Sequence, residues 1–273
     1  METQMNNSYG LAEKHEYILK SLINLDQICK RHNISYSLHG GTMLGAERDG
    51  HFIPWDDDAD ISMMRAQFEA FKSVIENEDS GFKIVEGDPE APYVTRIIDE
   101  SQVECKCNID VFIWDYVTSN RIGQFIKINY IRLLQGTLKG NIRYSDYHGM
   151  NKLIVMFTHV LGIPFTKRFK LKNYTVVSKH FMAGDKKCIH RSNDAYVGVG
   201  YIFDSDYMKR YSNLTLEGYE FMVSSRYHEF LERNYGKNYL IPPKESDRAA
   251  EHSSIHKNFI PEKDKKKRFG ILR

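Results

Sequence analysis

Residues 39–63 read HGGTMLGAERDGHFIPWDDDADISM. Asp56, Asp57, Asp58 and Asp60 put four carboxylates into five positions, about a dozen residues after the adjacent glycines Gly40 and Gly41. Like charges at that density repel, so the cluster either points into water or surrounds a cation. Side chains on a strand alternate, so Asp56, Asp58 and Asp60 are expected on one face and Asp57 on the other. Hard oxygen donors sharing a face suit Mg2+, with Mn2+ as the alternative. An EF-hand also opens with Asp at alternate positions, but it needs Gly sixth and Glu twelfth. Counted from Asp56, those places hold Ile61 and Gln67, so this is not an EF-hand. A solvated acidic turn is the plainer alternative. Against it stands the apolar frame of Phe52, Ile53, Pro54, Trp55 and Ile61, which implies partial burial and a need for counter-charge.

Glycines at a strand-to-helix turn let backbone N–H groups approach a phosphate, and Thr42 can add a hydroxyl contact. A phosphate-cradling turn followed by paired carboxylates is the arrangement of metal-assisted phosphoryl chemistry. Arg48 and Arg96 either offset phosphate charge in the transition state or pair with surface carboxylates. Asp110, at a strand start, is by itself an ordinary cap or turn residue.

The elements that must position these groups are legible as periodicities. Leu11, Ile18, Leu22, Leu25 and Cys29 predict a helix over 11–32, which Asn33 stops. ISYSL (34–38) alternates as a strand does, the glycines turn, and TMLGAER begins a helix. DADISM (58–63) is strand-like, and 66–76 carries Phe68, Phe71 and Ile75 on one helical face. Three more strands are expected at 82–85, 93–98 and 109–114, then helices at 121–135 and 226–235. The fold class is therefore α/β: a mixed sheet core with helices over residues 1–118, then a mainly helical C-terminal part over 119–273. The stretch 136–220, rich in Tyr, Lys and Gly, resists parsing.

Composition narrows the function. Of the 273 residues, 41% are hydrophobic and 27% charged, which excludes a disordered or fibrous chain. A net charge of +2 carries no nucleic-acid signature. Four cysteines do not make a disulfide scaffold, and the lone Cys105–Cys107 pair is too little for structural zinc. The polar opening METQMNNSYG is not a signal peptide, so a cytoplasmic protein is expected. The segment 153–172 joins an apolar run, LIVMFTHVLGIPF, to the basic KRFKLK, and KDKKKR follows at 263–268. That combination fits either peripheral attachment to the inner face of an anionic membrane or a buried core helix with a solvated tail.

The glycine pair, the interval and FIPWDDDADI resemble the LicD family of the nucleotidyltransferase superfamily, which includes bacterial phosphocholine transferases and fukutin-type ribitol-phosphate transferases. NIDVFIWDYV (108–117) is similar to the family's strand that carries a third carboxylate, which would make Asp110 a metal ligand or the base for an acceptor hydroxyl. YVTRIIDE (93–100) is similar to the strand between, with Arg96 at its basic position, and 214–243 resembles the C-terminal segment. Glu47 stands where the family often has an apolar residue. The resemblance is weak at 1–10 and at 136–200. It implies a catalytic set of Asp56, Asp58, Asp60 and Asp110 holding Mg2+, with Gly40, Gly41, Thr42, Arg48 and Arg96 around the phosphates. The donor it implies is CDP-linked, such as CDP-choline, and the acceptor is a sugar hydroxyl of teichoic acid, lipopolysaccharide or capsule precursor. Ethanolamine, glycerol or ribitol phosphate could move by the same mechanism, and a nucleotidyltransferase acting on a small molecule is the rival. Because a quaternary ammonium cannot donate a hydrogen bond, an aromatic cage is expected for choline, drawn from the Tyr-rich region between Tyr130 and Tyr211.

Overall fold

The computed structural model describes residues 9–86, 92–101, 108–140, 142–146, 148–244 and 248. Cys105, Cys107 and the 263–268 tail lie outside the described residues. Helix α1 (Ala12–Arg31) buries Ile18, Leu22, Leu25 and Cys29, the periodic residues that predict it. It ends before Asn33, whose positive φ of 54° suits a short polar side chain. Strand β1 is shorter than its alternation suggests, with only Ser37–Leu38 pairing. Then come α2 (Gly40–Arg48), β2 (Ala59–Met64), α3 (Arg65–Asn77), β3 (Phe82–Glu86), β4 (Thr95–Asp99) and β5 (Asn108–Val117).

Beyond β5 lie α4 (Arg121–Leu138), α5 (Gly149–Gly162) and α6 (Lys167–His180). Asn120 caps α4 by accepting from the Ile122 and Gly123 N–H groups, satisfying two of the donors a helix start leaves over. The C-terminal part is mainly helical, as expected, but four strands unread in the sequence follow: β6 (Cys188–Arg191), β7 (Ile202–Asp204), β8 (Tyr211–Leu216) and β9 (Tyr219–Ser224), before α7 (Tyr227–Tyr235).

The main sheet is mixed and has seven strands, five of them in the order β1-β2-β5-β4-β3, with β6 on β5 and β7 on β6. Strand β5 is its spine. It pairs parallel with β2 and antiparallel with β4 along its first half, and antiparallel with β6 at its end. Seven of its ten residues are buried, the near-continuous pattern of a strand covered on both faces. Lys127 of α4 is fully buried and donates to the Tyr116 and Ser178 carbonyls, tying the helical layer to β5.

Strands β8 and β9 form a separate hairpin whose turn residues Glu217 and Gly218 both have positive φ, the geometry that matches strand twist. Its tip reaches the loop before the acidic cluster. The Glu217 N–H donates to the Gly50 carbonyl, and the Glu217 carboxylate accepts from the Phe52 N–H at 2.9 Å.

Candidate active site

Asp60 and Asp110 are direct neighbours in the parallel β2–β5 register, so their carboxylates project from the same face of adjacent strands. Asp58 joins them. One oxygen from each of Asp58, Asp60 and Asp110 lies within 4.8 Å of the other two. The start of α2 fixes this group from the side. The His39 N–H donates to the Asp60 carbonyl and the Gly41 N–H to Asp60 Oδ2 at 3.3 Å, while Thr42 Oγ1 accepts from the Asp60 N–H at 2.9 Å. A helix N-terminus carries about half a positive charge, which favours carboxylates there.

The glycine pair has a steric reason beside the phosphate one. A Cβ on Gly40, whose φ is +51°, would stand 2.0 Å from Asp60 Oδ2; a Cβ on Gly41 would stand 2.1 Å from Asp56 Oδ2. Only hydrogen at both positions lets the helix close on the carboxylates.

One sequence expectation needs correcting. Strand β2 begins at Ala59, so face alternation does not extend back through Asp56, Asp57 and Asp58. Asp57 does not turn away. It offers an oxygen within 4.8 Å of those of Asp56 and Asp58, and it pairs with Lys14 of α1 at 3.1 Å. Asp56 accordingly lies beside the Asp58–Asp60–Asp110 group rather than within it.

Arg96 reaches the site. It is Asp110's partner in the antiparallel β4–β5 register, and its Nε donates to Asp110 Oδ1 at 3.1 Å. Arg48 lies at the far end of α2, about 12 Å along the axis from Gly40. It pairs with Asp49 at 2.7 Å. Glu47 accepts from the Tyr227 hydroxyl at 2.7 Å, away from the carboxylate face.

Sequence reasoning passes over His15 and Arg191, two of the residues that support these groups. His15 of α1 is buried, stacks on Phe52 with ring centroids 5.0 Å apart, and donates from Nε2 to the Asp56 carbonyl at 2.7 Å. Desolvation lowers its pKa below the usual histidine value, so it sits there neutral. His39 is buried against Phe112 and Phe230, and its Nε2 accepts from Arg191 at 2.9 Å. Burial first and Arg191 second hold its pKa well below normal. Arg191 in turn pairs with Asp194 at 3.0 Å. The Lys14–His15 pair was the available signal for the first of these supports. The second had none, because Arg191 lies more than 150 residues from His39.

Several described tyrosines of the 130–211 region are engaged in packing or with arginines. Tyr174 and Tyr207 are buried in packing, while Tyr196 and Tyr201 lie under the guanidinium groups of Arg132 and Arg191. The aromatic next to the acidic loop is Trp55, with Tyr9 edge-on at 5.7 Å and the Arg248 guanidinium 5.1 Å above its ring.

The donor set fits a small divalent cation. Oxygens 2.0–2.1 Å from an octahedral Mg2+ stand about 3.0 Å apart in cis and about 4.2 Å in trans, so small side-chain movements would close the three carboxylates on one ion.

Residues 33–148 match the LicD/FKTN/FKRP nucleotidyltransferase domain family, a span that contains Asp56, Asp57, Asp58, Asp60 and Asp110. The chain is 28% identical over 270 residues to the lipopolysaccharide cholinephosphotransferase LicD of Haemophilus influenzae, covering 87% of this chain and 94% of that protein. A shorter likeness, 34% over 68 residues, links it to an uncharacterized protein of Rickettsia typhi, covering 24% of this chain and 22% of the relative. With its carboxylate frame inside the matched span and the likeness continuing along most of its length, residues 33–148 are a LicD-type nucleotidyltransferase domain, and most of the chain is similar to a LicD-type enzyme.

Proposed function

We propose that the enzyme transfers phosphocholine from CDP-choline to a sugar hydroxyl of a lipopolysaccharide-type glycan and releases CMP. The observation that carries this reading is the closure of Asp58, Asp60 and Asp110 on the first turn of α2. The name of the Haemophilus relative supports phosphocholine and lipopolysaccharide as the group and acceptor.

Asp58, Asp60 and Asp110 would hold Mg2+. The bound cation supplies charge neutralisation to the donor's diphosphate and to the departing CMP. Gly40, Gly41 and Thr42 border the phosphates at the positive end of α2, and Arg96 adds a cation next to Asp110. The acceptor oxygen attacks the phosphorus that bears choline, and the bond from that phosphorus to the CMP oxygen breaks. Asp56, standing beside the metal carboxylates, takes the hydroxyl proton or orients it. His15, which adds no charge, and the Glu217 clamp keep its loop in place. We place the reaction on the cytoplasmic side, where nucleotide-linked donors are available.

The test is CMP release with a glycan acceptor present, run in parallel with CDP-choline, CDP-ethanolamine, CDP-glycerol and CDP-ribitol. Preference for CDP-choline supports the proposal. Preference for CDP-glycerol or CDP-ribitol ends the choline assignment, and pyrophosphate release from a nucleoside triphosphate without turnover of any CDP conjugate ends the phosphotransferase reading.

A further inference from the structure

The near-neutral total charge conceals a strong asymmetry. Residues 121–180, which hold α4, α5 and α6, contain eleven Lys and Arg against a single acid, Asp146, a net of +10. The rest of the chain, with 27 basic residues against 35 acidic, carries −8.

Helix α5 adds an apolar face turned outward. An amphipathic helix on a core ordinarily buries its large apolar residues. This one buries its small ones, Thr158 and Gly162. A Cβ on Gly162 would stand 2.5 Å from the Thr137 carbonyl, and one on Gly136 of α4 would stand 2.4 Å from Thr158 Oγ1, so the two helices meet through small residues at close range. That contact fixes the opposite face. Met150, Leu153, Phe157 and Val160, spaced three, four and three apart, are each at least 60% exposed. The turn into α6 continues the surface, with Phe165 stacked on Phe169 at 5.2 Å and both about half exposed. Lys167, Arg168 and Lys172 stand exposed beside these rings. Of the two readings the sequence leaves open for 153–172, the buried core helix does not fit this exposed face.

We propose that α5 and its turn into α6 form an interfacial anchor for an anionic lipid bilayer. Helix α5 lies in the plane of the interface, with Leu153, Phe157 and Val160 among the acyl chains and Arg168 and Lys172 against headgroup phosphates. At 14 residues it is about 21 Å long, short of the roughly 30 Å hydrocarbon core, and no described helix is long and apolar enough to cross a membrane. Charge complementarity selects this occupant. A second copy would set one +10 lobe against another, and a nucleic acid would match the charge but leave the apolar face in water.

The test is flotation of the full-length protein with vesicles of phosphatidylcholine alone or with phosphatidylglycerol added, at low and high salt. No turnover is measured, so the outcome is independent of the proposed reaction. Binding is expected only to the anionic vesicles and should fall with salt. Arg168→Gln and Lys172→Gln should each weaken partitioning about fivefold. Phe157→Ser with Val160→Ser should weaken it roughly tenfold or more. Each substituted side chain is exposed, and an unchanged melting temperature would confirm intact folding. Absence of flotation with anionic vesicles at low salt overturns the proposal. So does binding that neither pair of substitutions weakens, a solution dimer that buries α5, or RNA binding that excludes the vesicles.

Discussion

Gly41→Ala isolates the steric role of the glycine pair. Gly41 is helical with an ordinary φ, so alanine is compatible with its backbone and even gains up to about 1 kcal/mol of helix propensity. The cost is one collision. The new Cβ would stand 2.1 Å from Asp56 Oδ2, where contacts under 3.0 Å are essentially never adopted, so the carboxylate must shift by about 1 Å. Asp56 has little room, being buried with its carbonyl held by His15. A 1 Å misplacement of a positioned catalytic group costs on the order of 100-fold in rate, which is the expected drop in CMP release from CDP-choline. The control is the same change in an Asp56→Ala background, since the three nearest atoms the added Cβ would meet all belong to Asp56. There Gly41→Ala should leave the residual rate unchanged and raise the melting temperature by about 2–4 °C. A Gly41→Ala single variant with wild-type turnover would refute the reasoning. An equal rate loss in both backgrounds would also refute it, by locating the damage in the backbone rather than in the carboxylate.

Asp58→Asn and Asp60→Asn each remove a charged ligand with little change of shape, so transfer should fall more than tenfold at saturating Mg2+, while in chelator both should melt above the parent because a like-charge repulsion is gone; activity above one-tenth of the parent's would sink the metal assignment. Trp55→Leu should reduce the preference for CDP-choline over CDP-glycerol by roughly two- to fivefold without altering Mg2+ affinity, as loss of a cation–ring contact predicts, and an unchanged preference would remove Trp55 from the head-group site. Buried His190 has its pKa pushed down to about 3 by desolvation first and Lys127 second. The unfolded chain therefore takes the proton first: the stability of neutral His190 is fully present above pH 6.5 and is lost as pH falls from 6.5 toward 3, by about 2 kcal/mol at pH 5. His190→Gln should flatten that decline in chemical denaturation, and an unaltered slope between pH 7 and 5 would show that the proton is bound elsewhere.

The local sequence determined the helices and the chemistry. Spacing of Ile18, Leu22, Leu25 and Cys29 makes α1, the DDDAD cluster gathers carboxylates, and apolar periodicity marks α3 and β5, because each signal is written in residues a few positions apart. Only the tertiary structure decided which carboxylates meet. Asp110 reaches Asp60 through a parallel register between strands some fifty residues apart, and no local pattern encodes a register. The same is true of His15 beneath Asp56, Glu217 clamping Phe52, Arg191 supporting His39, and the return of β6 to β5. Asp57 shows the limit in one residue: alternation predicts its face only where a strand exists, and β2 starts at Ala59. Helix α5 shows it on a larger scale. Its apolar run reads in the sequence as either core or surface, and the structure packs its small residues on α4 and turns its large ones out, since close helix approach is set by the partner's surface and not by hydrophobicity along one strand of text.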